Sequence, residues 1–446
     1  MSNIYNFFTN PINDFKDNSK KHASFLPFLA LVVSIPISLA LNNVFLVLFF
    51  LSAFLFVNKT KPNFSLVLIL PMLLFIWMGL SYFWSIDTQE TLKAIPKEIA
   101  FVLIPLAFAI IPRFTVNQKD TIVKYYSYTI LLFVIYYIIR AFVRYFTTGE
   151  TTVFFYHGPN NETDTGLVPR LLNAIHVSVF VALAFFYFFT KKNRTQKDIV
   201  ASILMFVFIM LLSSKNIIIV FIILLLINIF FFSNIGNKLR LRNLTIILLL
   251  LGAILSIGKI KERFLIEFRS NSSKSLSHNV NTTNTTGVNN ISIYEAWNNE
   301  HFTYNDFLPG TSFRVYQFRM FTEFLKEEPI FWKGFGLNAS KTKLQAKEKQ
   351  YNLYPGYGSF NFHNQYVQNF AELGIIGFIL LMFILIINIK NAVKTKDFIH
   401  IAFAILMLTL FITESFLWRQ RGATFFIVFY CLLNTYHSIQ PKVTHD

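Results

Sequence analysis

The sequence predicts an all-α polytopic membrane protein, and three observations carry that prediction. Of 446 residues, 54% are hydrophobic and only 14% are charged, with a mean hydropathy of +0.50. That leaves too little polar surface to cover a water-soluble globule. Apolar runs of about the length a bilayer requires recur about twelve times. Between them, Lys and Arg collect in alternate connections, the pattern of a positive-inside topology.

The runs are Ser24–Leu41, Val44–Val57, Phe64–Trp84, Ile95–Pro112, Thr121–Phe146, Leu171–Phe189, Ile199–Leu212, Ile217–Phe232, Leu244–Ile257, Gln365–Ile389, Phe398–Thr413 and Ala423–His437. The second, seventh and ninth are short. Lys16, Lys20 and Lys21 precede the first run, and alternate connections carry Lys59/Lys61, Arg113/Lys119/Lys124, Lys191/Lys192/Arg194/Lys197, Lys238/Arg240/Arg242 and Lys390/Lys394/Lys396. With twelve spans all of these share one face, which is then the cytoplasmic one, together with both termini. The chain divides accordingly into a cytoplasmic segment 1–23, spans one to nine over 24–257, a large outward loop 258–364, spans ten to twelve over 365–437 and a cytoplasmic tail 438–446. No small-residue cleavage pattern marks a removable signal peptide. The net charge of +17 is accounted for by topology and implies no nucleic acid partner. Cys431 is the single cysteine, so no intrachain disulfide forms.

The opposite face receives Asn42/Asn43, Ser85–Ala94, Thr147–Arg170, Ser213–Asn216, the long loop and Glu414–Gly422. Within the long loop, 270–292 is rich in Asn, Ser and Thr with little to bury, and reads as a mobile insert. Over 311–326, Phe313, Tyr316, Met320, Phe321, Phe324 and Leu325 recur at helical spacing. This predicts an amphipathic helix lying on or in the outer membrane surface.

Chemistry concentrates at Phe362–Phe378. His363 stands where a polar segment enters an apolar helix and can accept a proton from a hydroxyl near neutral pH. Asn364, Gln368 and Glu372, four apart, form a stripe below it. Gly374 and Gly377 permit close approach of a helix or lipid. The alternative is an interfacial histidine above a packing pair. Arg314, Arg319, Lys215 and Arg170 lie on the same face and suit phosphate oxygens, although a snorkelling side chain has the same signature. Glu414 with Arg419 reads as a structural pair. There is no HExxH, no cysteine pair and no P-loop, and the nearest acidic cluster is Glu162-Thr163-Asp164. No metal, cofactor or nucleotide is expected.

The pattern His363-Asn364, nine residues, Gly374-Ile375-Ile376-Gly377 resembles the signature of the O-antigen ligase and O-antigen polymerase superfamily. Ser312-Phe313-Arg314 leading to Pro329 and Gly334-Phe335-Gly336, the early Tyr82-Phe83-Trp84-Ser85 and the late Glu414-Ser415 with Gly422 match in family order. The hairpin departs from the pattern. The family usually has Ser-Arg where this chain has Ser214-Lys215, which keeps the charge and loses the bidentate fork. The resemblance implies a GT-C-like fold with one large periplasmic loop whose helix caps a lateral lipid opening. It implies transfer of a glycan from a polyprenyl (undecaprenyl) diphosphate carrier to an acceptor hydroxyl, at the periplasmic side of a bacterial inner membrane, without metal or nucleotide. His363 would be the base, Arg314 with Lys215 or Arg170, and Arg319, would bind the diphosphate, and the anomeric carbon would invert. Ligation to lipid A-core is favoured over polymerisation onto a second carrier-linked unit or transfer to a protein hydroxyl. A non-enzymatic alternative is a flippase for lipid-linked glycan. It would place charges deep within spans, whereas Arg140 and Glu372 lie near the ends of theirs.

Overall fold

A computed structural model describes residues 2–55, 62–156, 166–233, 236–255, 258 and 289–436. A helix underlies every one of the twelve apolar runs. In chain order the helices are α1 (Ser2–Lys21), α2 (Phe25–Ser34), α3 (Leu39–Leu55), α4 (Leu66–Leu80), α5 (Thr88–Ala94), α6 (Ala100–Ile110), α7 (Val116–Thr148), α8 (Ala174–Phe189), α9 (Gln196–Leu212), α10 (Lys215–Ile227) and α11 (Asn237–Leu255). After residues 259–288 follow α12 (Ile293–Asn298), α13 (Gly310–Glu327), α14 (Ser340–Gln350), α15 (Gln365–Thr395), α16 (Phe398–Thr413) and α17 (Gln420–Thr435). Among the described residues, four stretches are long and apolar enough to cross a bilayer: Leu66–Trp84, Val116–Thr148, Lys215–Phe232 and Gln365–Thr395. The helices α2, α3, α8 and α16 are apolar and shorter.

Local chemistry sets the helix ends. Thr115 and Thr195 open α7 and α9 with capping boxes closed by Gln118 and Asp198, and Asp397 opens α16 by accepting from the Ile399 amide; each satisfies donors the helix itself cannot. Gly149 stops α7 in the left-handed conformation, at φ 71°. The innermost helix is α17, buried continuously from Gly422 to Leu433. A helix apolar on every face has to be surrounded, and α4, α6, α15 and α16 pack around it.

A second, separate apolar cluster forms between Ile291 and Ala371. Its axis is α13, the amphipathic helix expected at 311–326. The expectation that this helix lies on the membrane is corrected: Phe313, Tyr316, Met320, Phe321 and Phe324 are buried against Phe302, Ile330, Phe335, Leu344, Tyr351 and Phe362. Each such side chain withdrawn from water contributes roughly 1.5–3 kcal/mol, so the apolar face is the core of a small loop domain. The expected mobile insert, 270–292, lies outside the described residues up to 288. Its end is structured: Asn289–Asn290 forms β1, which pairs in parallel with β2, Asp306–Phe307, and Ser292 caps α12 through Glu295. This two-stranded ribbon departs from a purely helical fold.

The loop domain is joined to the bundle at a break in α15. Gly374 has φ 66° and ψ −169°, a conformation closed to side chains. The carbonyls and amide freed by the break find partners outside the helix. Phe335 N donates to Ala371 O at 2.9 Å, Gly336 N to Glu372 O at 2.8 Å and Ile375 N to Phe331 O at 2.8 Å, while Trp77 Nε1 donates to Leu373 O at 2.8 Å. Non-helical backbone in an apolar helix persists only where such partners are supplied. A Cβ on Gly374 would meet the Trp332 carbonyl, and one on Gly334 the Glu372 backbone. The reading of Gly374 and Gly377 as a helix-packing pair is therefore corrected. Gly374 accommodates the loop segment 331–336, and Gly377 leaves room for the side chain of Leu373 in its own helix.

Candidate active site

His363 sits in the last turn before α15 with φ 48°, a strained value for a non-glycine residue. Three contacts hold it there. Its backbone amide donates to Asn361 Oδ1 at 3.0 Å, and its ring lies edge-on to Phe313, with centroids 5.4 Å apart. The third contact is its Nδ1, 3.3 Å from Glu414 Oε2. Glu414 ends α16 and its side chain is only 3% exposed, against 24% for His363. Burial alone pushes the Glu414 carboxyl up. The His363 hydrogen bond and charge, with His176 and Arg314, outweigh burial and hold it below the usual carboxylate range. An ionised carboxylate only accepts, so a neutral His363 bonded to it carries its proton on Nδ1 and its lone pair on Nε2. The expected Glu414–Arg419 pair is thus corrected: the partner of Glu414 is His363, and Arg419 is exposed at the start of α17.

The polar stripe below the histidine supports this turn. Asn364 caps α15, its Oδ1 accepting from Tyr366 N and Val367 N at 3.0 and 3.1 Å, and its own amide reaches Ser415 Oγ at 3.3 Å. Gln368 is a node. Its Oε1 accepts from Phe362 N at 3.0 Å and from Ser415 Oγ at 3.3 Å, and its Nε2 donates to Glu372 Oε1. Ser340 Oγ donates to the same Glu372 oxygen at 2.8 Å. Gln368 and Glu372 are both 2% exposed. The residues flanking the histidine and the carboxylate, Phe362 and Ser415, are therefore tied to one buried amide, which is anchored in turn on the loop domain.

Arg314 and the turn that carries Lys215 both reach the end of α16. Arg314 Nε donates to Thr413 O at 2.9 Å, and its Nη1 to Gly310 O at 2.9 Å. Asn216, next to Lys215 in the first turn of α10, donates to Thr413 Oγ1 at 2.6 Å and Thr409 O at 3.0 Å. Thr413 immediately precedes Glu414, so one helix end gathers Arg314, the Lys215 turn, Glu414 and, through it, His363. That turn begins where Ser213 adopts φ 53°, so α9 and α10 meet without a linker.

Arg319 does not join this group. Its guanidinium donates to Glu323 Oε1 at 2.9 Å and Asn299 O at 2.7 Å and lies over the Tyr351 ring at 4.7 Å. It is a strut of the loop domain, and its assignment to phosphate is corrected. Arg170 opens a short 3-10 turn, Arg170–Leu172, and its side chain is outside the described set, as is Glu162-Thr163-Asp164. Among the described residues, no three His, Cys, Asp or Glu side chains gather as metal ligands.

Residues 200–382 match the family model described as O-antigen ligase. Over that segment the chain is similar to the O-antigen ligase family, which supports placing it in the O-antigen ligase and polymerase superfamily. No curated protein matches it significantly. The superfamily segment runs from α9 past the break in α15, so it contains Lys215, Arg314, His363, Gly374 and Gly377 and stops short of Glu414. Sequence patterns alone gave Glu414 the wrong partner, and the adjacent Glu414-Ser415 was the available signal. At the family level the match supports glycosyl transfer of the O-antigen ligase or polymerase type in a mainly helical, multi-pass membrane protein.

Proposed function

We propose that this protein transfers a glycan from a polyprenyl diphosphate carrier to an acceptor hydroxyl at the periplasmic face of the inner membrane, with lipid A-core as the favoured acceptor. The observation that carries the reading is the His363–Glu414 pair held beside Arg314 and the Lys215 turn at one helix end.

Diphosphate is a competent leaving group once its developing charge is met. The proposed step needs a base on the acceptor and cations on the carrier. His363 Nε2 takes the acceptor hydroxyl proton as that oxygen attacks the anomeric carbon, and the carbon–oxygen bond to the diphosphate breaks from the opposite side. The anomeric centre inverts, the carrier diphosphate departs with the bond electrons, and the proton remains on the imidazole. Glu414 fixes the tautomer and meets the imidazolium charge, as a carboxylate behind a histidine base does elsewhere. Arg314 and Lys215 take the diphosphate oxygens, Arg314 as a planar fork and Lys215 as a point charge. No step calls on a metal or nucleotide.

The test is reconstitution in proteoliposomes with carrier-linked glycan and, separately, lipid A-core, a second carrier-linked unit or a hydroxyl-bearing peptide. Product with lipid A-core supports ligation, product with either other acceptor reassigns the acceptor, and movement of donor across the bilayer without any new glycosidic bond sinks the enzyme reading in favour of a flippase.

A further inference from the structure

Beside the histidine turn lies a cleft the proposed chemistry does not use. Asn338, Ser340, Asn361, Gln368 and Glu372 line it, all of them 9% exposed or less, together with the half-buried Lys341. Its walls include two rings, Phe360 and Trp418. The Phe360 ring also faces His363, with centroids 5.9 Å apart, so the cleft and the base share a wall. Trp418 is fixed in orientation: its Nε1 donates to Asn338 Oδ1 at 2.7 Å, and Asn338 Nδ2 donates to Glu90 Oε2 at 3.0 Å. Asn338 itself has φ 60°, so two strained residues, Asn338 and His363, flank the same feature. The cleft as a whole has room for about 10 Å³, that of a single water or hydroxyl group.

Buried amides and hydroxyls beside two aromatic rings suit a sugar: rings cover its apolar face and amides meet its hydroxyls. Arg314 and Asn216, the neighbour of Lys215, meet the site at Thr413, whereas this cleft adjoins it across Phe360. We propose that the cleft is the acceptor-sugar subsite, seating one pendant hydroxyl or hydroxymethyl group within it with the sugar ring against Phe360 and Trp418. The inference rests on the glycosyl-transfer reading for its choice of acceptor over donor.

The experiment uses the full-length protein in nanodiscs, with delipidated core oligosaccharide as the probe and two variants. Ser359→Trp fills the cleft from an exposed rim position, and Trp418→Phe removes the indole. The oligosaccharide should change tryptophan emission in the wild-type protein and not in Trp418→Phe. In turnover, Ser359→Trp should raise the acceptor KM by about tenfold, the cost of one or two lost hydrogen bonds, and leave the donor KM unchanged. Equal oligosaccharide binding by wild type and Ser359→Trp, or a rise in donor KM instead, would overturn the subsite. Saccharide binding that depends on the cleft in a protein making no glycosidic bond would support the subsite and refute glycosyl transfer.

Discussion

At the scale of single residues, the decisive contact is His363 Nδ1 to Glu414. Glu414→Gln keeps the shape and an acceptor oxygen but loses the charge and permits the amide to donate, which frees the imidazole to adopt the wrong tautomer. Transfer should fall by about 10²- to 10⁴-fold, with protein yield and melting unchanged; a turnover assay at saturating donor that found full activity would remove Glu414 from the mechanism. His363 and Arg314 stand out in the sequence because each marks a pattern break, a polar residue entering an apolar helix and a cation in an apolar stripe, and their site roles remain proposals. Glu414 does not stand out, since its partner lies 51 positions away and Arg419 offered a nearer one. Arg319 was misread for the opposite reason. Glu323, four residues on, was a visible helical partner, and the structure uses it.

At the scale of elements, the break in α15 and the segment 331–336 make one joint. Gly374→Ala puts a side chain on a left-handed residue already against the Trp332 carbonyl. A loss of ~2–4 kcal/mol is expected, read as a lower melting temperature in detergent together with faster proteolysis of the loop domain; an unchanged melting profile would mean the joint is not a constraint. Sequence periodicity could locate α13 but not its environment, because an amphipathic stripe looks the same whether it meets lipid or protein. A pH measurement separates the two. Burial raises the Glu323 carboxyl, but hydrogen bonds from Lys347, Tyr351 and Arg319 bring it below its ordinary value of 4.5. A depressed carboxyl contributes stability that is present above that ordinary value and lost as pH falls through the folded one. Lys347 is raised above 10.5 by Glu323 and Glu327 against the effect of burial, so its share persists below that value and is lost as pH rises through the folded one. Hydrogen exchange over α13 should therefore quicken below about pH 4.5, and Glu323→Gln should flatten that acid limb. A limb of the same slope in the variant would show that the loop domain is not held by this cluster.

At the scale of the whole molecule, the helical character of the chain was readable from its apolar runs, and a helix underlies each of the twelve, while four stretches among the described residues are long and apolar enough to cross a bilayer. The same cations predict an orientation, which is testable by itself. Cys431 is fully buried, so a cysteine placed at the exposed Ser359 in a Cys431→Ala background should react with a membrane-impermeant maleimide in spheroplasts, and one at Lys192 should not; the reverse pattern would invert the topology. What the sequence could not show is how two bodies share one site. The bundle supplies Glu414 and the Lys215 turn, the loop domain supplies Arg314, and His363 sits between them. The most direct measurement is formation of a new glycosidic bond by reconstituted protein, wild type against His363→Ala, with carrier-linked glycan and lipid A-core. Product from the wild type and none above background from an equally folded His363→Ala variant is the expected result, and equal product from both would contradict a histidine base at this site.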